Sequence, residues 1–125
     1  MTLQTTGTPN QETSATAHDH EVIELNKDNF DETISSHAVV LVDFWAPWCG
    51  PCLSFAPTYT AIAKKHPDIL FAKVNVDQEQ ILAAKYQIRA IPTLMAFRDG
   101  DVVLSRAGAL PASKLEEVIA NTVGR

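Results

Sequence analysis

Trp45-Ala46-Pro47-Trp48-Cys49-Gly50-Pro51-Cys52 holds both cysteines and both tryptophans of the chain. The apolar run Val39-Val40-Leu41-Val42 feeds into it, and an amphipathic stretch over residues 53–66 leaves it. This order predicts strand, tight loop and helix, with Cys49 at or near the helix N-terminus. Unpaired backbone N–H groups and the helix dipole favour an anion there. The thiolate is the form of cysteine that attacks disulfides, and such a position lowers its pKa. The residues therefore read as a reversible Cys49–Cys52 dithiol/disulfide pair, with a turn at Gly50-Pro51 that exposes the first sulfur.

Three plainer readings compete. Half a zinc site needs further ligands, and there is no third cysteine. His18, His20, His37 and His66 lack the usual ligand spacing. A purely structural disulfide would close a very small loop and constrain the unfolded chain little. An inert pair of buried thiols conflicts with the exposing turn.

The stretch Val42-Asp43-Phe44-Trp45-Ala46-Pro47-Trp48-Cys49-Gly50-Pro51-Cys52 resembles the active-site signature of the thioredoxin family, Ala90-Ile91-Pro92-Thr93 its cis-proline loop, and Gly108 a glycine of its binding groove. The likeness runs from about Glu21 to the C-terminus. It implies an α/β thioredoxin fold, with a mixed central sheet flanked by helices on both faces. It also implies a domain over 21–125 that reduces disulfide-containing protein substrates. Cys49 would attack and Cys52 would release. Trp48, Pro51, Ile91, Pro92 and Gly108 would form the lips of a shallow groove, with Gly50 in the active-site loop. Recharging by an NADPH-dependent thioredoxin reductase is part of the same implication, and the chain has no nucleotide-binding glycine fingerprint of its own. No cofactor and no metal are expected. Two rivals share the fold: a disulfide oxidase or isomerase, and a non-enzymatic module that stabilises a larger partner. Gly50-Pro51 between the cysteines resembles the reducing members. Leu53 departs from the pattern, since many thioredoxins carry a lysine directly after the second cysteine. Losing that cation is expected to raise the Cys49 pKa modestly and to alter partner preference.

The chain has 125 residues, enough for one domain, with 46% hydrophobic and 20% charged residues. A formal charge of -5 argues against a nucleic-acid surface, and no apolar run approaches membrane-spanning length. Residues 1–20 are rich in Thr, Gln and Ser and poor in large apolar side chains. They are expected to form a flexible extension. They contain no Lys or Arg and no hydrophobic segment of a signal peptide, which predicts a cytoplasmic protein, here taken as a monomer.

Residues 21–25 read as a short edge strand, followed by a helix capped by Asn26 or Asp28 with Phe30 and Ile34 on one face. Residues 38–44 form the next strand. Alternation puts Asp43 on the face of Leu41, opposite Val40, Val42 and Phe44. A buried carboxylate there would have a raised pKa, and it resembles the family's buried aspartate beneath the second cysteine. Asp43 is thus a candidate proton acceptor toward Cys52, through a water; the alternative is a strand-end residue turned to solvent. In the following helix Cys52, Phe55, Ala56, Tyr59, Ile62 and Ala63 should form one buried stripe, and Pro57 should kink it. Strand 69–76 carries Lys73, which resembles a family lysine near that aspartate. Two readings stay open for it: an interaction with Asp43, or a stem on apolar surface with its ammonium in water. Asp77 should start a short helix with Ile81, Leu82 and Tyr86 as apolar contacts. Strands 93–98 and 101–106 flank an Asp99-Gly100 hairpin turn, and Pro111 opens a last helix. The order β-α-β-α-β-α-β-β-α predicts a mixed sheet covered by helices on both sides.

Overall fold

The computed structural model describes residues 21–123. The expected extension over 1–20, with His18 and His20, lies outside the described residues. The elements are β1 (Val22–Glu24), α1 (Phe30–Ser36), β2 (Val39–Trp45), α2 (Gly50–Ala63), β3 (Leu70–Asn75), α3 (Gln80–Lys85), β4 (Thr93–Arg98), β5 (Asp101–Ala107) and α4 (Ala112–Val123). They form one five-stranded sheet in the order β1-β3-β2-β4-β5. β3 runs parallel to β1 and β2, while β4 is antiparallel to β2 and to β5. This is the mixed sheet that the element order predicts.

The pleat sorts the strand side chains into two cores. Leu41, Phe71, Leu94 and Ala96 pack with Phe55, Tyr59 and Ile62 of α2 and with Leu115, Val118 and Ile119 of α4. Val40, Val42, Phe44, Ala72, Val74, Met95 and Phe97 pack with Phe30 and Ile34 of α1 and Leu82 of α3. Every strand that contributes to both cores is therefore covered on both faces, which explains the near-continuous apolar run of β2. A fully buried side chain of this size stabilises the fold by roughly 1.5–3 kcal/mol. Alternation also places Asp43 on the α2 side, next along its face from Leu41.

The β4–β5 turn has φ of 52° at Asp99 and 87° at Gly100. Two positive φ values fit a tight turn whose twist matches the strands, which is the reason for the Asp-Gly pair. β5 is the exposed edge, and its register shifts at Ala96/Phe97, where Leu104 and Val102 pair in succession and Val103 is left over.

Several expectations need correction. α1 begins after Asn29, whose side chain makes no cap bond to the helix. Asn26 instead closes the preceding turn, its Oδ1 accepting from the amides of Asp28 at 2.9 Å and Asn29 at 3.1 Å. α3 starts at Gln80 and not at Asp77, because the Asn75 side chain takes the Asp77 amide (2.9 Å) into a turn of its own. Ile81 is 69% exposed, so only Leu82 and Tyr86 of that trio face the core. Ala56 is exposed as well, because the sheet-facing stripe of α2 is narrower than its spacing alone suggests. α2 ends at Ala63, three residues short of His66.

Candidate active site

β2 ends at Trp45, whose carbonyl accepts the Val76 amide of the neighbouring strand's extension at 2.9 Å. The chain then turns, and the Ala46 carbonyl accepts from the Cys49 amide at 3.2 Å. This turn sets Cys49 as the N-cap of α2, in an extended conformation with φ -89° and ψ 110°. Pro51 follows in the first turn, where its missing N–H leaves no bond unmade. Cys49 and Cys52 form a disulfide with Cα atoms 5.2 Å apart. The Cys52 amide donates to the Cys49 sulfur at 3.2 Å. A helix amide aimed at that sulfur stabilises negative charge on it once the bond is reduced.

Both cysteines are more enclosed than the Gly50-Pro51 turn suggests: Cys49 is 5% and Cys52 2% exposed. They cluster with Ala46, against Trp45, Val76 and Ile91. The expectation of an openly exposed first sulfur is corrected accordingly. The neighbouring apolar partners cover it, and the Ile91 carbonyl oxygen lies 3.8 Å from it. Trp48, by contrast, is 68% exposed, and Leu53 projects into solvent on the first turn of α2.

The Ile91–Pro92 loop meets both the cysteine cluster and the end of β5. The Ile91–Pro92 peptide is cis, as the family resemblance implies. The Pro92 carbonyl accepts from the Gly108 amide at 2.8 Å, which ties the proline loop to the end of β5. Gly108 has a φ of 100°, a conformation that an L side chain adopts at a penalty. Trp48, Gly50, Pro51 and Gly108 are exposed, Ile91 is half-buried and Pro92 is buried.

Beneath this surface Asp43 is 4% exposed. Among the described residues, its Oδ1 is the one buried side-chain polar atom without a hydrogen-bond partner. Burial pushes its carboxyl up to about 7, against the nearby Lys73 cation, which lowers it, and with the Glu24 carboxylate, which raises it. Lys73 is directly across from Asp43 in the β2–β3 register, yet its ammonium sits 3.9 Å from Glu24 Oε1 and 4.9 Å from the centre of the Trp45 ring.

Two neighbours of the site have no place in the sequence reading. Asp77 accepts a hydrogen bond from the Trp48 indole at 2.8 Å, and Glu24 accepts one from the Trp45 indole at 3.3 Å. Asp77 was legible only as a helix starter, and Glu24 only as an edge-strand residue. Among the described residues no three His, Cys, Asp or Glu side chains converge as a metal site, and no helix is long and apolar enough to cross a membrane.

The thioredoxin family model matches residues 21–121. This chain belongs to the thioredoxin family. It is similar to the thioredoxin of Porphyra purpurea, 47% identical over 89 residues that cover 70% of this chain and 83% of that one. It is also similar to thioredoxin 1 of Synechococcus elongatus, 46% identical with the same coverage. Among solved structures, a mutant thioredoxin from Halobacterium salinarum superposes with a TM-score of 0.80 at 35% identity, covering 86% of this chain and 96% of that one. Cys49 and Cys52 are thus the redox-active pair of a thioredoxin, a thiol–disulfide oxidoreductase that acts as a protein-disulfide reductase.

Proposed function

We propose that two successive exchanges carry the reduction, Cys49 first and Cys52 second. The Cys49 thiolate attacks one sulfur of a substrate disulfide. The substrate S–S bond breaks, its other sulfur leaves as a thiolate and takes a proton, and a mixed disulfide forms. Cys52 then passes its proton through a water to Asp43 and attacks the Cys49 sulfur. The mixed disulfide breaks, the substrate sulfur held by Cys49 leaves as a thiolate and takes a proton from solvent, and the Cys49–Cys52 disulfide closes. Two electrons move from the cysteine pair to the substrate. The observation that carries this order is the Cys52 amide at 3.2 Å from the Cys49 sulfur, at the N-cap of α2. It favours the thiolate at Cys49 and supplies no equivalent donor to Cys52.

The lips of the groove are Trp48, Pro51, Ile91, Pro92 and Gly108, with Gly50 exposed as the first residue of α2. The backbone of Ile91 pairs with an extended substrate segment beside its cysteine, an edge-pairing mode. The half-buried setting of Ile91 against the cysteine pair, its carbonyl oxygen 3.8 Å from the Cys49 sulfur, supports this. Lys73 acts on Asp43 only as a neighbouring cation across the strand, with its ammonium turned to Glu24. Leu53 replaces a cation with apolar surface beside Trp48, which suits partners that do not depend on acidic steering. An NADPH-dependent thioredoxin reductase returns the pair to the dithiol. The domain spans 21–125, acts as a cytoplasmic monomer, and carries residues 1–20 as an extension; a reducing pair suits a reducing compartment.

The test is the reduction of insulin with dithiothreitol as the recycling reductant. The protein, present in sub-stoichiometric amount, is expected to accelerate the reaction about tenfold or more, since a helix amide aimed at the Cys49 sulfur favours the reactive thiolate. A rate equal to that of dithiothreitol alone would contradict the proposed function.

A further inference from the structure

Glu24, Lys73 and Asp43 lie in register across three adjacent strands: Glu24 of β1 pairs with Lys73 of β3, and Lys73 pairs with Asp43 of β2. Side chains directly opposite on neighbouring strands are within reach of one another. Lys73 therefore has an acidic neighbour on each side, and its ammonium has gone to Glu24, 3.9 Å away, while it makes no ion pair with Asp43.

The two sites differ in hydration. Asp43 is buried, and meeting it would strip water from the ammonium, a cost that one unshared carboxylate only partly offsets. Glu24 is half-exposed, so Lys73 can lay its stem along the sheet and keep its head in water. The Trp45 ring adds a cation–π contact at 4.9 Å. The same tryptophan holds the other oxygen of Glu24 through its indole N–H at 3.3 Å. Glu24 is thus gripped at both oxygens.

We propose that Glu24 is a positioning residue of the redox site, holding the Lys73 ammonium at the outer edge of the sheet and so denying it to the buried Asp43 carboxyl. The charged and titratable groups around Asp43 are few. β3 supplies Lys73 and β1 supplies Glu24. α2 brings Tyr59, whose hydroxyl donates to the Ala72 carbonyl, and Cys52. β4 places Leu94 opposite Asp43, and α4 packs on that face with Leu115, Val118 and Ile119. Removing Glu24 frees the ammonium for its other register neighbour and takes away a negative charge. Both changes favour an ionised Asp43. The consequence for turnover rests on Asp43 being the proton acceptor proposed above.

The test is an NMR titration of the Asp43 carboxyl in the oxidised protein, where the cysteines do not titrate. Glu24→Gln is expected to lower the midpoint by about one pH unit. In a Lys73→Gln background the same substitution is expected to move it by half of that or less, because Glu24 acts through the lysine. An unchanged midpoint in Glu24→Gln, or an equal shift with and without Lys73, would overturn the proposal. The pH profile of mixed-disulfide resolution is then followed in the reduced protein. A profile that moves with the Asp43 midpoint supports both readings. A midpoint that moves while the profile stays still supports the placement of Lys73 by Glu24 and rejects Asp43 as the acceptor.

Discussion

A Cys52→Ser variant is expected to accumulate on its substrates as a stable mixed disulfide, close to one substrate per protein molecule. The physical reason is proximity. In the wild type the Cys52 sulfur is bonded to Cys49 across a Cα separation of 5.2 Å, so resolution is intramolecular. Well-oriented intramolecular attack corresponds to effective concentrations of about 10⁵ M or more in favourable cases. No dissolved thiol at millimolar concentration replaces that, and a serine hydroxyl is not ionised near neutral pH. Cys49→Ser removes the attacking thiolate itself. Its expected loss of disulfide reduction is roughly a thousandfold or more, with no trapped complex, as for other nucleophile deletions. Mass spectrometry of trapped complexes separates the two variants. Substrate found on the Cys49→Ser protein, or none on the Cys52→Ser protein, would reverse the assignment.

Asp43→Ala is expected to be more stable than the wild type at neutral and alkaline pH. The carboxyl is raised from an ordinary 3.8 to about 7, with burial as the main cause. The folded state therefore holds this proton more tightly than the unfolded chain does. The resulting stability is fully present below about pH 3.8 and is lost as pH rises through about 7. Across that window the wild type gives up on the order of 4 kcal/mol. The alanine variant has no such loss, but it leaves a small cavity. Its net advantage should grow between pH 4 and 8, to about 2–4 kcal/mol. Cys52 resolution should slow by roughly a hundredfold, because the proposed proton acceptor is gone. Denaturant curves across pH check the first part, and single-turnover resolution rates check the second. An alanine variant less stable than wild type at pH 8 would place Asp43 in a satisfied network.

Much of this arrangement is legible in the sequence because period-2 alternation is a strong constraint. Once β2 is recognised, the residues at 40, 42 and 44 must part from those at 41 and 43, and the two cores divide along that line. Asp99-Gly100 is equally direct, since few residue pairs tolerate two positive φ values. Helix details are less legible. Spacing marks Ala56 and Ile81 as buried, yet burial depends on what lies opposite, and nothing covers either residue. The boundary of α3 depends on the Asn75 side chain, which competes for the Asp77 amide in a way that local propensity does not encode. The sequence leaves the position of Lys73 open between Asp43 and water, and the register explains why. The deciding residue, Glu24, lies 49 positions earlier on a strand whose pairing only the folded sheet reveals. The Trp48–Asp77 bond is non-local in the same way.

The central claim is that Cys49 and Cys52 work as a reductant, and the reduction potential of this couple tests it most directly. The protein would be equilibrated with dithiol buffers of known potential, and the fraction oxidised read from the separation of the two forms. A value near the general thioredoxin figure of about -270 mV is expected. A value near -120 mV, typical of the strongly oxidising relatives that share the fold, would make the pair an oxidant and contradict the account.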